Sequence, residues 1–186
     1  MVGPSVASLG RSLEATVDLL RQARVPYMVI GAMAVAVWGR PRTTLDVDIV
    51  VLTDQAGLRE LASKAVKKAF VVDEEWAERN PMIRDTHLRL LHKNLPVDLI
   101  FPMDRHDREA LKRRKRKRWR DRVVWFICPE DLILQKLKLG RPRDFEDALS
   151  VWHQQGKSID ERYLWRWAQR LGITRELEYI VRGIKA

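Results

Sequence analysis

The segment Leu45-Asp-Val-Asp-Ile-Val-Val-Leu52 is rich enough in β-branched residues to be a core strand, yet it carries two carboxylates, Asp46 and Asp48. Side chains two apart in a strand point the same way, and a rise of about 3.3 Å per residue sets their Cβ atoms roughly 6 to 7 Å apart. Carboxylates at that spacing can converge on one cation or on a close pair. Leu45, Val47, Ile49 and Val51 form the opposite face, while Val50 and Leu52 continue the carboxylate face as apolar, so the strand leaves the core at its Asp end. A third strand carboxylate, Asp98, lies in Leu95-Pro-Val-Asp-Leu-Ile-Phe101. Like charges side by side repel, and burying them unpaired costs several kcal/mol, so something positive must sit among them. Mg2+, with Mn2+ as its substitute, is the natural candidate, because it prefers hard oxygen ligands and is held by one or two carboxylates plus substrate phosphates. Asp98 on an adjacent strand would complete a site for in-line phosphoryl displacement, with two metals roughly 3.5 to 4 Å apart. The competing reading is plain ion pairing of Asp46 and Asp48 with Arg40 and Arg42.

The elements that must position these groups are legible in outline. Val6, Leu9, Leu13, Val17 and Leu20 recur at helical spacing over Ser5 to Arg24, and Pro26 ends that helix. Tyr27-Met-Val-Ile30 reads as a buried strand running into Gly31, after which Ala32 to Trp38 form a short helix closed by Gly39. A glycine between strand and helix lets a ligand approach closely, and the free amides of the helix N-terminus can receive a phosphate. Thr53 or Asp54 caps a third helix, Phe70 to Val72 form a short strand, and His87 to Leu91 with Leu95 to Phe101 make a hairpin around Lys93-Asn94. A basic block then reads as a helix, followed by the strand Val123 to Ile127 and four helical patterns from Pro129 onward, with Ser158 and Glu161 as a capping box before Tyr163. The expected architecture is α/β (α+β): a mixed sheet flanked by helices over residues 1–128, then a helical C-terminal segment over 129–186 that contributes to the site.

Composition narrows the class. The formal charge is +10, and residues 105–122 hold 11 basic and 3 acidic side chains, so the rest of the chain is nearly balanced. One cysteine, Cys128, excludes an internal disulfide framework and any thiolate-rich metal site, and it suits a reducing, cytoplasmic setting. No apolar stretch reads as a signal peptide or a membrane span.

The run from Val29 through Gly31-Ala32 and Arg40-Pro-Arg-Thr-Thr44 to Asp46-Val-Asp48 resembles the nucleotidyltransferases of the DNA polymerase β superfamily, most of all the AbiEii branch that includes the MenT toxins. There a Gly-Gly or Gly-Ser turn precedes the helix; Gly31-Ala32 lacks the hydroxyl but keeps the amides. Asp46, Asp48 and Asp98 match the metal ligands. Pro129-Glu-Asp-Leu-Ile-Leu-Gln-Lys136 through Arg143-Asp-Phe-Glu-Asp147 resembles the helical motif after the catalytic sheet, in which a lysine reaches the triphosphate and an aspartate serves the active site; by match these are Lys136 and Asp144, with Asp147 one turn later. Without the resemblance, Lys136 reads equally as a solvated helix residue and Asp144 as a charge favoured by a helix N-terminus. The resemblance implies transfer of a nucleoside monophosphate from a nucleoside triphosphate to a hydroxyl, with Asp46, Asp48, Asp98, Lys136 and Asp144 catalytic. Gly31, Ala32, Arg42, Thr43 and Lys136 would contact the phosphates.

Lys112-Arg-Arg-Lys-Arg-Lys-Arg-Trp-Arg120 contains no acid. Such a run is either a solvated face or a surface for a polyanion. Placed directly after the Asp98 strand, Lys112, Arg113, Arg114, Lys115, Arg116, Lys117, Arg118, Trp119 and Arg120 are candidates for guiding an RNA, and the resemblance points to a tRNA 3′ end as acceptor, a toxin role and an antitoxin partner. Trp119 either stacks on a base or packs under Trp125. The alternatives are a non-catalytic RNA binder on the same fold, and a transferase acting on a protein or small-molecule hydroxyl.

Overall fold

A computed structural model describes residues 6–183; Ser5, the expected first residue of the opening helix, lies outside them. The chain runs α1 (Val6–Gln22), β1 (Tyr27–Val29), α2 (Gly31–Trp38), β2 (Val47–Val51), α3 (Gln55–Val66), β3 (Phe70–Val72), α4 (Glu74–Arg79), β4 (His87–His92), β5 (Leu95–Ile100), α5 (Arg105–Arg113), β6 (Lys115–Trp119), β7 (Arg122–Phe126), α6 (Pro129–Leu139), α7 (Pro142–Gln155), a short 3-10 turn, α8 (Glu161–Leu171) and α9 (Thr174–Arg182). The strands form one seven-stranded sheet in the order β3-β4-β5-β2-β1-β7-β6. β2 runs parallel to β5 and β1 parallel to β7, while the other neighbouring pairs are antiparallel, so the sheet is mixed as expected.

Apolar burial follows the two periodicities. Leu9, Leu13, Val17 and Leu20 of α1 and Val47, Ile49 and Val51 of β2 are all buried. The β4–β5 turn is tight because Lys93 and Asn94 both take positive φ, 52° and 64°, the pairing of left-handed residues that matches the twist of a two-residue hairpin. α6 begins on Pro129 and ends at Gly140 in the left-handed conformation (φ 70°), and it packs on α7, which also touches α2. These contacts bring the C-terminal helices against α2, which packs on β2 in the middle of the sheet where the carboxylates stand.

Three expectations are corrected. The basic block is not one helix: α5 stops at Arg113, and Lys115–Trp119 form β6, an edge strand paired with β7, because hydrogen bonding to β7 overrides a run without apolar periodicity. The polar stretch after Val72 contains α4, capped by Asp73. The cap of α8 is Asp160, whose carboxylate accepts from Tyr163 N, whereas the Ser158 hydroxyl donates to the Gln155 carbonyl. None of the helices among the described residues is long and apolar enough to cross a membrane.

Candidate active site

β2 and β5 lie side by side with Asp48 opposite Asp98, and Asp46 immediately precedes β2. Oxygens of the three carboxylates lie within 4.8 Å of one another. Asp46 accepts a hydrogen bond from the Thr44 hydroxyl at 2.6 Å, and Asp98 is held by Arg89 of β4, whose Nε and Nη2 each donate to it at 2.7 Å. Neither Arg40 nor Arg42 takes the pairing role considered from sequence: Arg42 instead donates twice to Asp147, at 2.8 and 2.9 Å. Desolvation, then the charges of Asp46 and Asp98, push Asp48 up to about 7. The donor set fits a divalent cation. It consists of three hard oxygen ligands at close range, one of them pushed up by desolvation and by the charges of the other two, which a cation would relieve.

Gly31 packs against this cluster. Its φ of +62° is left-handed, and a Cβ there would lie 2.1 Å from Asp48 Oδ2, so glycine is required both by the backbone and by the carboxylate behind it. The Ile30 amide donates to the Asp48 carbonyl at 3.0 Å, fixing the turn to β2. Gly31→Ala is therefore expected to cost more than the 1–2 kcal/mol of left-handed strain alone, since Asp48 must also move; a lower urea midpoint together with weaker divalent-ion binding checks it.

Across the cavity stands a network of alternating charge. Lys136 is only 3% exposed in its side chain, and its Nζ lies 3.0 Å from Asp144 and 2.8 Å from Asp147. Asp144 also accepts from Arg141 at 2.6 Å, and Asp147 from Arg42. Burial pushes both carboxylates up, but hydrogen bonds from Arg141 and Lys136 to one, and from Arg42 and Lys136 to the other, hold them below the ordinary value. Lys136 is thus no solvated helix residue, and three cations against two anions leave this wall net positive, facing the three carboxylates. Between the walls lies an open cavity of about 950 Å³, bordered by Gly31, Ala32, Arg42, Thr43, Asp46, Asp48, Lys136 and Asp144. Every residue expected from sequence to touch phosphate borders it.

Sequence reasoning missed Arg89, Thr44 and the cavity's far end, where Lys138 Nζ binds Asp104 at 2.8 Å and Asp107 at 3.0 Å. The basic block divides. Arg113 turns inward to Glu130 and Asp131 and lies 3.6 Å from the Tyr163 ring centroid, and Arg120 pairs with Glu14. Lys112 remains exposed in the last turn of α5, and Arg114 lies over Trp125. Lys115, Arg116, Lys117 and Arg118 are exposed along β6, three strands from β2 and so about 14 Å across the sheet. Trp119 packs on Phe126 (6.0 Å between centroids), not under Trp125, because the pleat puts Trp125 on the other face.

This sheet and its helices form a nucleotidyltransferase fold. An antigenic nucleotidyltransferase-like protein from Paracoccidioides brasiliensis superposes with a TM-score of 0.63 at 14% identity, covering 98% of this chain and 95% of that one. The antibiotic-resistance factor ANT(2'')-Ia gives 0.63 at 12% identity, over 94% and 99%. The lincosamide antibiotic adenylyltransferase LnuA, with lincomycin bound, gives 0.53 at 16% identity, over 76% and 94%. At such identities the likeness is one of fold. No protein-family model matches the chain, and no curated protein does.

Proposed function

We propose that the protein transfers a nucleoside monophosphate from a nucleoside triphosphate to a hydroxyl of an RNA, a tRNA 3′ end being the leading acceptor. The observation that carries the reading is the convergence of Asp46, Asp48 and Asp98, the first two bordering the cavity, opposite a positive wall and beside a glycine turn that opens a helix N-terminus. Asp46 and Asp48, with Asp98, would hold Mg2+, which neutralises the phosphates and polarises the attacking and leaving oxygens. Gly31 and Ala32 at the start of α2 border the cavity, where their amides would serve as phosphate donors, and Arg42, Thr43, Lys136 and Arg141 would line the route of the outer phosphates. The acceptor oxygen bonds to the α-phosphorus as the α–β anhydride bond breaks. Its proton leaves through the carboxylate cluster to solvent, and pyrophosphate departs.

Two features favour RNA over a polycationic small acceptor. The carboxylates at the far end of the cavity are already paired with Lys138, so they offer little to an amine-rich ligand. The exposed cations of β6 start at Lys115, opposite Phe126, at the end of the sheet where Val29 meets β7 and the chain turns into Gly31. A phosphate backbone crossing that edge reaches the cavity mouth.

Incubation with Mg2+, each labelled nucleoside triphosphate and total RNA should label RNA, and Asp48→Asn should not. Absence of labelled RNA with all four triphosphates would reject the RNA acceptor, and label on a hydroxylated antibiotic instead would establish the small-molecule alternative. RNA bound equally well by both proteins, with no transfer by either, would make the chain a binder on a transferase fold. A tRNA acceptor adds a toxin role, for which induced expression arrests growth and Asp48→Asn does not.

A further inference from the structure

Asp98, the third carboxylate of the cluster, already has a cation. Arg89 stands directly opposite it in the β4–β5 ladder, and its Nε and Nη2 engage Oδ1 and Oδ2 separately, both at 2.7 Å. This fork geometry is the strongest that a carboxylate and a guanidinium can make. The pair is shielded, with 22% and 9% of the two side chains exposed, and the Trp76 ring of α4 lies 4.5 Å from the guanidinium carbon, closing the outer side. Counting charge among Asp46, Asp48, Asp98 and Arg89 leaves two negative units, which is what one divalent ion neutralises.

We propose that Arg89 is a resident counter-cation that holds the free protein to one divalent ion, between Asp46 and Asp48, and that Asp98 becomes a metal ligand only when Arg89 leaves it. The inference rests on reading the carboxylate cluster as a metal site. Arg89 has somewhere to go: a second cavity of about 240 Å³ opens on its other side, bordered by Asp73 and Asp85. In that position it keeps carboxylate partners while both oxygens of Asp98 are released. Arg89 is a positioning residue in this scheme, setting how many ions the site takes and in what order.

The test counts ions on the full chain without nucleotide, by titration with Mn2+ followed by electron paramagnetic resonance. The wild-type protein is expected to bind one tight ion. Arg89→Gln, which keeps a neutral hydrogen-bond donor but removes the charge, is expected to bind two, the second at least about tenfold tighter than any second ion in wild type. Arg89→Lys, with its single donor in place of the fork, should fall between them. A fluorescence change on entry of the second ion, present in Arg89→Lys and absent once Trp76→Phe is added, would show that the cation has left its resting place over that ring. Should Arg89→Gln fail to fold, the wild-type and Arg89→Lys counts decide. Two ions of similar affinity in wild type, or a count unchanged by either Arg89 variant, overturns this inference alone. No ion bound by wild type or variants overturns the metal reading and this inference with it.

Discussion

Asp48→Asn is expected to make the metal-free protein more stable at pH 8 while sharply lowering the proposed nucleotidyl transfer. The Asp48 carboxyl is pushed up to about 7 by desolvation and by the neighbouring carboxylates. A carboxyl whose pKa is higher folded than unfolded binds its proton more tightly in the folded state, so it subtracts stability as pH rises. The penalty is absent below the ordinary carboxylate value of about 4, grows between there and about 7, and is complete above 7. Asparagine keeps the shape and removes the charge. A gain of about 2 kcal/mol at pH 8, read as roughly 4–8 °C in Tm, and a clearly smaller gain at pH 5 are the expected results. Adding Mn2+ should reverse the order, because the ion stabilises the wild type and has lost a ligand in the variant. The proposed transfer should fall by about a hundred- to a thousandfold, the scale of losing a group that stabilises transition-state charge. A variant less stable than wild type at pH 8 without metal would show that the cluster is not electrostatically strained.

Lys136→Met is expected to act in the opposite direction. Lys136 is 3% exposed and bridges Asp144 and Asp147, themselves 1% and 4% exposed. Removing the cation leaves two buried carboxylates with one arginine each, and breaking a buried pair in this way costs about 3–5 kcal/mol. Urea unfolding should show a lower midpoint with an unchanged slope. Adding Asp147→Asn to Lys136→Met should recover part of the loss, since one uncompensated charge is then gone. A loss below about 1 kcal/mol, within the range of exposed pairs, would mean that the network is solvated and that Lys136 is free to reach a ligand without a stability cost.

The carboxylate cluster was legible because strand alternation is local. Asp46 and Asp48 share a face whatever the sheet does, and Asp98 needed only one further strand beside them. Arg89 was within reach by the same logic. A two-residue turn at Lys93-Asn94 sets His92 against Leu95, and stepping back along the ladder sets Arg89 against Asp98. A lone arginine in a half-buried strand reads as its solvent face, so the pairing passed unnoticed. The network around Lys136 was less accessible. Its partners Asp144 and Asp147 come from a second helix, and only the packing of α7 on α6 turns three separate charges into one buried array. The basic run misled for a different reason. With no apolar residue between Lys112 and Arg118 it has neither a helical nor a strand period, and pairing with β7 decides its shape. α4 was missed because it buries no residue, leaving only the Asp73 cap as a signal.

The edge position of β6 has a consequence for self-association. Its outer side leaves backbone amide and carbonyl groups without a neighbouring strand, the arrangement that invites a second sheet to dock and propagate. Lys115 to Arg118 line that edge with like charge, so two copies approaching through it repel. A run that reads as an invitation to a polyanion is at the same time a guard against edge-to-edge assembly. Any bound polyanion that neutralises the run also lowers the guard, tying the colloidal behaviour of the protein to the occupancy of its own surface.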